Sequence, residues 1–177
     1  MTTFDFGKGR VPAHRHPNGG GWVADTATVS KSAYVGPNAV VYDNAVVYDN
    51  AEVYDYVRVS GDAEVSGDAE VYDNARVSGD ARVSGYARVY DYAEVYDYAV
   101  VSGDAVVIGN ARVYGYAVVY CYARVSGNAR VYDNAWVSGN AKLSGNARVF
   151  EDAEVFGKAM VFGDARVYGN ARVSGNE

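Results

Sequence analysis

The sequence predicts an all-β solenoid, and three observations predict it. Valine recurs at every sixth position from Val23 to Val173, 26 positions with Leu143 the one replacement, and no insertion interrupts the period. An alanine stands four residues after each of these, from Ala27 to Ala171, with Val57 the one exception. Between them lie two turn formers: the first is Gly in fourteen hexads and Asp in most others, the second is Asn in eleven, Asp in six and Tyr in six. Identical units of this kind bury their apolar faces only against one another, so the chain has to coil.

Within a hexad each element follows from its residues. The run Ala-x-Val-Ser/Tyr alternates apolar and variable or polar positions, the signature of a short strand with one buried face. The next two residues form a corner. Pro37 occupies the first corner slot once, so that slot is read with an ordinary negative φ. The second, where Asn dominates, is read as left-handed, which Asn tolerates better than most residues. A helical reading fails, because Gly, Asn, Asp and Val are poor helix formers and the period is six, not 3.6. Val57 in an alanine slot predicts slight overpacking or a local bulge.

Two segments result: an amino-terminal arm or cap over residues 1–21 and the solenoid over 22–177. A solenoid's first coil exposes an unpaired edge and an open core, which a cap has to cover. Phe4, Phe6, Val11 and Trp22 are the expected plugs, and Gly19-Gly20-Gly21 permit the sharp turn into the repeat. At the other end the last hexad is a fragment, Gly175-Asn176-Glu177. It predicts an open edge suited to end-to-end self-association or to docking on another protein. Met1 to Arg10 hold no hydrophobic signal core and no stretch approaches the length of a membrane span, so a cytoplasmic protein without membrane contact is expected. Cys121 is the single cysteine and leaves no internal disulfide framework.

The hexads resemble the hexapeptide-repeat left-handed parallel β-helix, the fold of many bacterial acyltransferases. That resemblance implies three hexads per triangular coil, hence about 8–9 coils over residues 22–177 and a prism roughly 40 Å long at ~4.8 Å per coil. Residues 18 apart then stack. On one side the slot after Val reads Tyr96, Tyr114, Tyr132, Phe150, Tyr168, and the slot before it reads Arg58, Arg76, Glu94, Arg112, Arg130, Arg148, Arg166. The plate of Arg112, Tyr114, Arg130, Tyr132, Arg148, Phe150, Arg166 and Tyr168 is the candidate binding face. Guanidinium groups so spaced repel, stack on rings and recruit anions, and Tyr and Arg are interface-enriched. A second side carries Tyr54, Tyr72 and Tyr90 followed by Asp55, Asp73 and Asp91; stacked Asp suits a hard cation, but the pairing of Tyr with Asp is better explained by turn chemistry. Val100 and Val118 stack directly, with Trp136 on the same column, and form the candidate oligomer contact. The resemblance implies a homotrimer.

Charge divides the chain. The net charge is −6. The segment 41–106 carries four basic and fourteen acidic residues, whereas 107–177 carries eight basic and six acidic. General nucleic-acid binding is disfavoured. This layout permits head-to-tail attraction between copies or a basic partner on the acidic belt, and the arginine plate permits an anionic small ligand; a host protein as partner is what a resemblance to phage proteins implies.

An enzyme is not expected. The acyltransferase resemblance implies a catalytic histidine on or near the coils, a loop leaving a coil and a carboxy-terminal element. Residues 22–177 hold no histidine and keep their period throughout. His14 and His16, the only histidines, are weak metal candidates with no third ligand nearby, so no metal or cofactor is expected. The alternative is an acyltransferase-like enzyme whose site is completed between subunits by His14 or His16. Gly20-Gly21-Trp22-Val23 followed by Ala129-Arg130-Val131-Tyr132-type units is similar, more narrowly, to uncharacterised bacterial and phage hexapeptide proteins. That resemblance implies no activity; it implies a phage- or mobile-element-encoded module acting by binding, as a structural rod, a host-factor blocker or a ligand sequesterer.

Overall fold

A computed structural model describes residues 2–175. No helix is present among them; three parallel sheets of eleven, nine and eight strands stack into about nine coils. The expected 18-residue register holds throughout: Arg112 pairs with Arg130, Val100 with Val118 and Glu52 with Glu70. Most repeat strands are the x-Val pair alone, and the ladder continues through the flanking residues, as where the Arg112 N–H donates to the Ala129 carbonyl at 3.0 Å. The three sheets face inward on one column of side chains. Every valine and alanine of the pattern from Ala33 to Val155 is fully buried, Leu143 included. Val57 is buried too, and the ladder passes it with an ordinary bond from the Val40 N–H to its carbonyl at 3.0 Å, so the expected bulge is absent. Over the last described coil the core opens, with Ala165 and Ala171 exposed and Val173 half-buried. The chain's last two residues, on which the expectation of an open terminal edge partly rests, lie outside the described residues.

The corners correct the sequence reading. The left-handed residue is the first corner slot, not the second: Asp43, Asp97 and Asp133 have φ of 59°, 58° and 57°, and Gly79 has 71°. Glycine suits this slot for a second reason, because a Cβ at Gly79 would lie 2.8 Å from the Asp97 backbone nitrogen. Where Asp stands instead, its carboxylate accepts the backbone N–H one coil further on: Asp43 from Gly61, Asp55 from Asp73, Asp97 from Gly115. The second slot carries side-chain ladders, with the Asn44 amide donating to Asp62 at 3.1 Å and Asn146 to Asp164 at 2.9 Å. Pro37 belongs to the first coil, whose corner residues Asp25, Lys31 and Pro37 lie outside the left-handed region. In regular coils the second-slot N–H donates to the next coil, Asn44 to Gly61 at 2.9 Å. In the first coil the hydroxyls of Thr26 and Ser32 reach the corresponding carbonyls of Asp43 and Asp49 instead.

The arm also differs from expectation. β1 (Thr3–Asp5) and β2 (Arg10–Arg15) form an antiparallel hairpin, and β2 pairs antiparallel with β3 (Trp22–Ala24), extending the eleven-stranded sheet. The edge of β3 is covered by backbone pairing. The aromatic residues do not plug the core. Phe4 stacks on Trp22 at 4.6 Å and Phe6 on Tyr42 at 5.1 Å, on the outer face of the sheet, and Val11 is exposed. Trp22 precedes an inward valine, so its own side chain has to point outward. The core's end near Ala33 and Val35 is covered by the loop His16–Gly21. Asn18 Nδ2 donates to the Ala33 carbonyl at 3.0 Å and the Gly21 N–H to the Val35 carbonyl at 2.9 Å. Glycine is required at position 19, where φ is 110° and a Cβ would sit 2.3 Å from the Val35 oxygen.

Candidate functional site: an arginine–aromatic face

Both columns of the candidate plate lie on the outer face of the eleven-stranded sheet, because slots before and after an inward valine both point out. The structure brings all eight residues together in the expected order. Rings Tyr96, Tyr114, Tyr132, Phe150 and Tyr168 stack at 4.8, 5.0, 4.9 and 5.3 Å between successive centroids, the first three pairs within 2° of parallel. Offset stacking at coil spacing leaves a flat surface. Burial raises the Tyr96 and Tyr114 hydroxyls above their ordinary pKa, with the next tyrosine along raising each further and the adjacent arginines opposing the shift.

The arginine column is not uniform. Arg58 is tied down by the arm, donating to the Phe6 carbonyl and to the Tyr42 hydroxyl at 3.0 Å. Glu94 interrupts the column and accepts Arg112 at 3.0 Å, with Arg76 at 3.8 Å on its other side. Arg130, Arg148 and Arg166 follow in consecutive coils, and among the described residues none of the three forms an ion pair. Like charges directly opposite on neighbouring strands destabilise each other. The plate's unsatisfied part is therefore narrower than the sequence reading: Arg130, Arg148 and Arg166 beside Tyr132, Phe150 and Tyr168. The signal was legible, since Glu94 falls in the arginine column at spacing 18.

A second plate was half seen in the sequence. On the eight-stranded sheet Tyr54, Tyr72 and Tyr90 stack at 5.2 and 4.6 Å, as the spacing predicts. Before the valines of the first two stand Glu52 and Glu70, paired across adjacent strands, and before that of the third stands Arg88; the sequence reading passed over all three. Neither glutamate forms an ion pair among the described residues. Burial first, and the neighbouring tyrosines next, push the Tyr72 hydroxyl up to about 12. Tyr54 is raised by burial and then by Glu70 and Glu52. The carboxylates of Asp55 and Asp73 each accept a corner N–H one coil on, at 3.4 Å, which accounts for aspartate at these corners without a cation.

Val100, Val118 and Trp136 do share a column, on the nine-stranded sheet, where Trp136 is half exposed and Tyr120 meets it edge-on at 5.9 Å. This strip faces away from the arginine plate. His14 and His16 separate: His14 Nδ1 lies 2.9 Å from an Asp25 carboxylate oxygen at the surface, whereas buried His16 places Nε2 3.1 Å from the Ala33 carbonyl. Each is engaged in holding the arm, and no cluster of three or more His, Cys, Asp or Glu suited to a metal occurs among the described residues. Cys121 is a half-buried free thiol at a left-handed corner.

These features define a hexapeptide-repeat parallel β-solenoid with charged and aromatic ladders on its outer faces. The family model for the YdcK beta solenoid repeat matches the chain over residues 69–85, 75–91, 123–140 and 165–176. The two later matches overlap the arginine plate and the two earlier ones the tyrosine ladder of the eight-stranded sheet. No curated protein and no solved structure gives a significant match.

Proposed function

We propose that the protein is a non-enzymatic binding rod acting through its outward arginine–aromatic face on a partner of acidic chemistry. One observation carries this reading: three arginines in consecutive coils, uncompensated among the described residues, lie beside a flat ladder of stacked rings. A rigid sheet holds the backbone and the stacked rings in place, so the ordering cost of binding falls on the arginine side chains alone. Rings and guanidinium groups together supply the two contact types that dominate protein interfaces. The narrower resemblance to bacterial and phage hexapeptide proteins is consistent with a rod that blocks a host factor or sequesters a ligand.

Retention on immobilised inorganic polyphosphate tests the face. Wild type is expected to bind at low salt, and Arg130→Glu with Arg148→Glu to weaken binding roughly tenfold or more and flatten its salt dependence. His14→Ala with His16→Ala is expected to change nothing. Equal retention of both double variants and wild type overturns the reading. An acyl-transfer activity lost with the histidines would favour the enzyme alternative.

A further inference from the structure

We propose that the acidic partner of the arginine plate is a second copy of this chain, whose Glu52–Glu70 plate docks on it with the two solenoid axes antiparallel. This rests on the binding-face reading above and names its partner. Four observations carry it. The molecule holds two plates of the same construction and opposite charge: Arg130, Arg148 and Arg166 beside a ring ladder on one sheet, Glu52 and Glu70 beside a ring ladder on the next. Neither set forms an ion pair within the described chain, although Arg88 follows Glu70 in its column. Each set is repulsive by itself, because like charges face each other across adjacent strands, and each relieves the other. Both repeat at the coil spacing of the same backbone ladder, so when one pair is in register the next is too.

Orientation follows from the order of slots. In both plates the charged column precedes the valine and the ring column follows it. Bringing two such plates face to face with axes antiparallel keeps the strand directions aligned across the contact. Charge then lies over charge and ring over ring. Parallel axes would set charges over rings and rings over charges. Antiparallel packing also brings the carboxy-terminal half of one copy against the amino-terminal half of the other, which is where the two plates lie. Register is set by exclusion. Arg148 over Glu70 would place Arg130 over Arg88, which neighbours Glu70 in its column. Arg130 over Glu70 and Arg148 over Glu52 avoids this and leaves Arg166 facing Tyr34. That register also sets Arg88 opposite Arg112 and Arg124 opposite Arg76, where Glu94 compensates both Arg112 and Arg76, and Lys142 opposite Arg58, which the arm engages. The contact joins different surfaces on each copy, so the pair still offers one free arginine plate on one rod and one free glutamate plate on the other, and the assembly grows past the dimer unless it closes.

The experiment is sedimentation velocity of the full chain at low and high salt, as wild type, as Arg130→Glu with Arg148→Glu, as Glu52→Arg with Glu70→Arg, and as an equimolar mixture of the two double variants. Wild type is expected to associate at low salt and dissociate in high salt, since these charges sit at an exposed face. Each double variant alone presents two plates of one sign and is expected to be monomeric, with association at least tenfold weaker. The mixture is expected to associate again, a result that only folded variants of complementary charge produce. Two outcomes overturn the proposal: association unchanged by both variants, or no recovery in the mixture. A monomeric wild type that still binds polyphosphate through Arg130 and Arg148 overturns the second copy as partner and keeps the binding face. A monomeric wild type that binds no polyphosphate overturns both.

Discussion

The first coil and the coils that follow it meet the same backbone requirements with different residues. In the regular coils a left-handed residue, Gly or Asp except at Cys121 and Glu151, turns the corner, and corner N–H groups bond to the next coil. In the first coil the corners Asp25, Lys31 and Pro37 avoid the left-handed region, and Thr26 and Ser32 bridge to the second coil through their hydroxyls. The edge of its first strand, β3, is paired with β2, and its core end is covered by the His16–Gly21 loop. Repetition thus solves the interior cheaply, with one hexad used over and over, while the terminus uses residues such as Pro37 and Thr26 that no later corner holds.

The sharpest way to break this comparison is proline. Gly79→Pro forces φ from 71° to the negative value of the ring and places a carbon against the Asp97 backbone. We expect a loss of more than about 4 kcal/mol in urea unfolding. Pro37→Gly, at the matching slot of the first coil, is expected to cost less than about 1 kcal/mol. Next in size, Phe6→Ala removes a ring buried under the arm and is expected to cost about 3 kcal/mol. Hydrogen exchange should show β1 and β2 opening while the coils keep their protection; loss of protection throughout would mean that the arm and coils are one cooperative unit. Thr26→Val keeps the shape and removes the hydroxyl bond to Asp43, with an expected cost of about 1 kcal/mol. Smallest is an effect on pH dependence. The folded state holds the Tyr72 proton up to about pH 12, against an ordinary 10. The unfolded chain therefore loses that proton first, and stability is expected to fall as pH rises across that window. Tyr72→Phe should flatten the fall, as followed by thermal melts between these limits.

What was legible in the sequence was whatever the period carries. The valine and alanine columns follow from spacing, because a strand's alternation settles which residues point in; the three-sided register, and with it both ring ladders, follows from the resemblance to hexapeptide-repeat proteins. The corner conformation was not legible in the same way. Both corner slots hold residues that tolerate positive φ, and Pro37, the one residue that forbids it, sits in the coil whose corners differ. The arm escaped because it has no period. Phe4 and Trp22 read as core plugs by hydrophobicity, yet Trp22's slot before Val23 already placed it outside. Glu52 and Glu70 stand out less in the sequence than the aspartate after each tyrosine, whose carboxylates serve their neighbours' backbone.

One side of a coil is six residues and one full coil is eighteen, and this gives the molecule a kind of reading frame. Removing one hexad leaves every valine inside and the rod intact. It also turns everything downstream by one face, so the arginine plate moves onto another sheet. Removing three hexads shortens the rod and restores each face to its place. Such a chain can change its surface without risking its core, and a deletion series in steps of six would rotate the binding face around the axis while the fold stays the same.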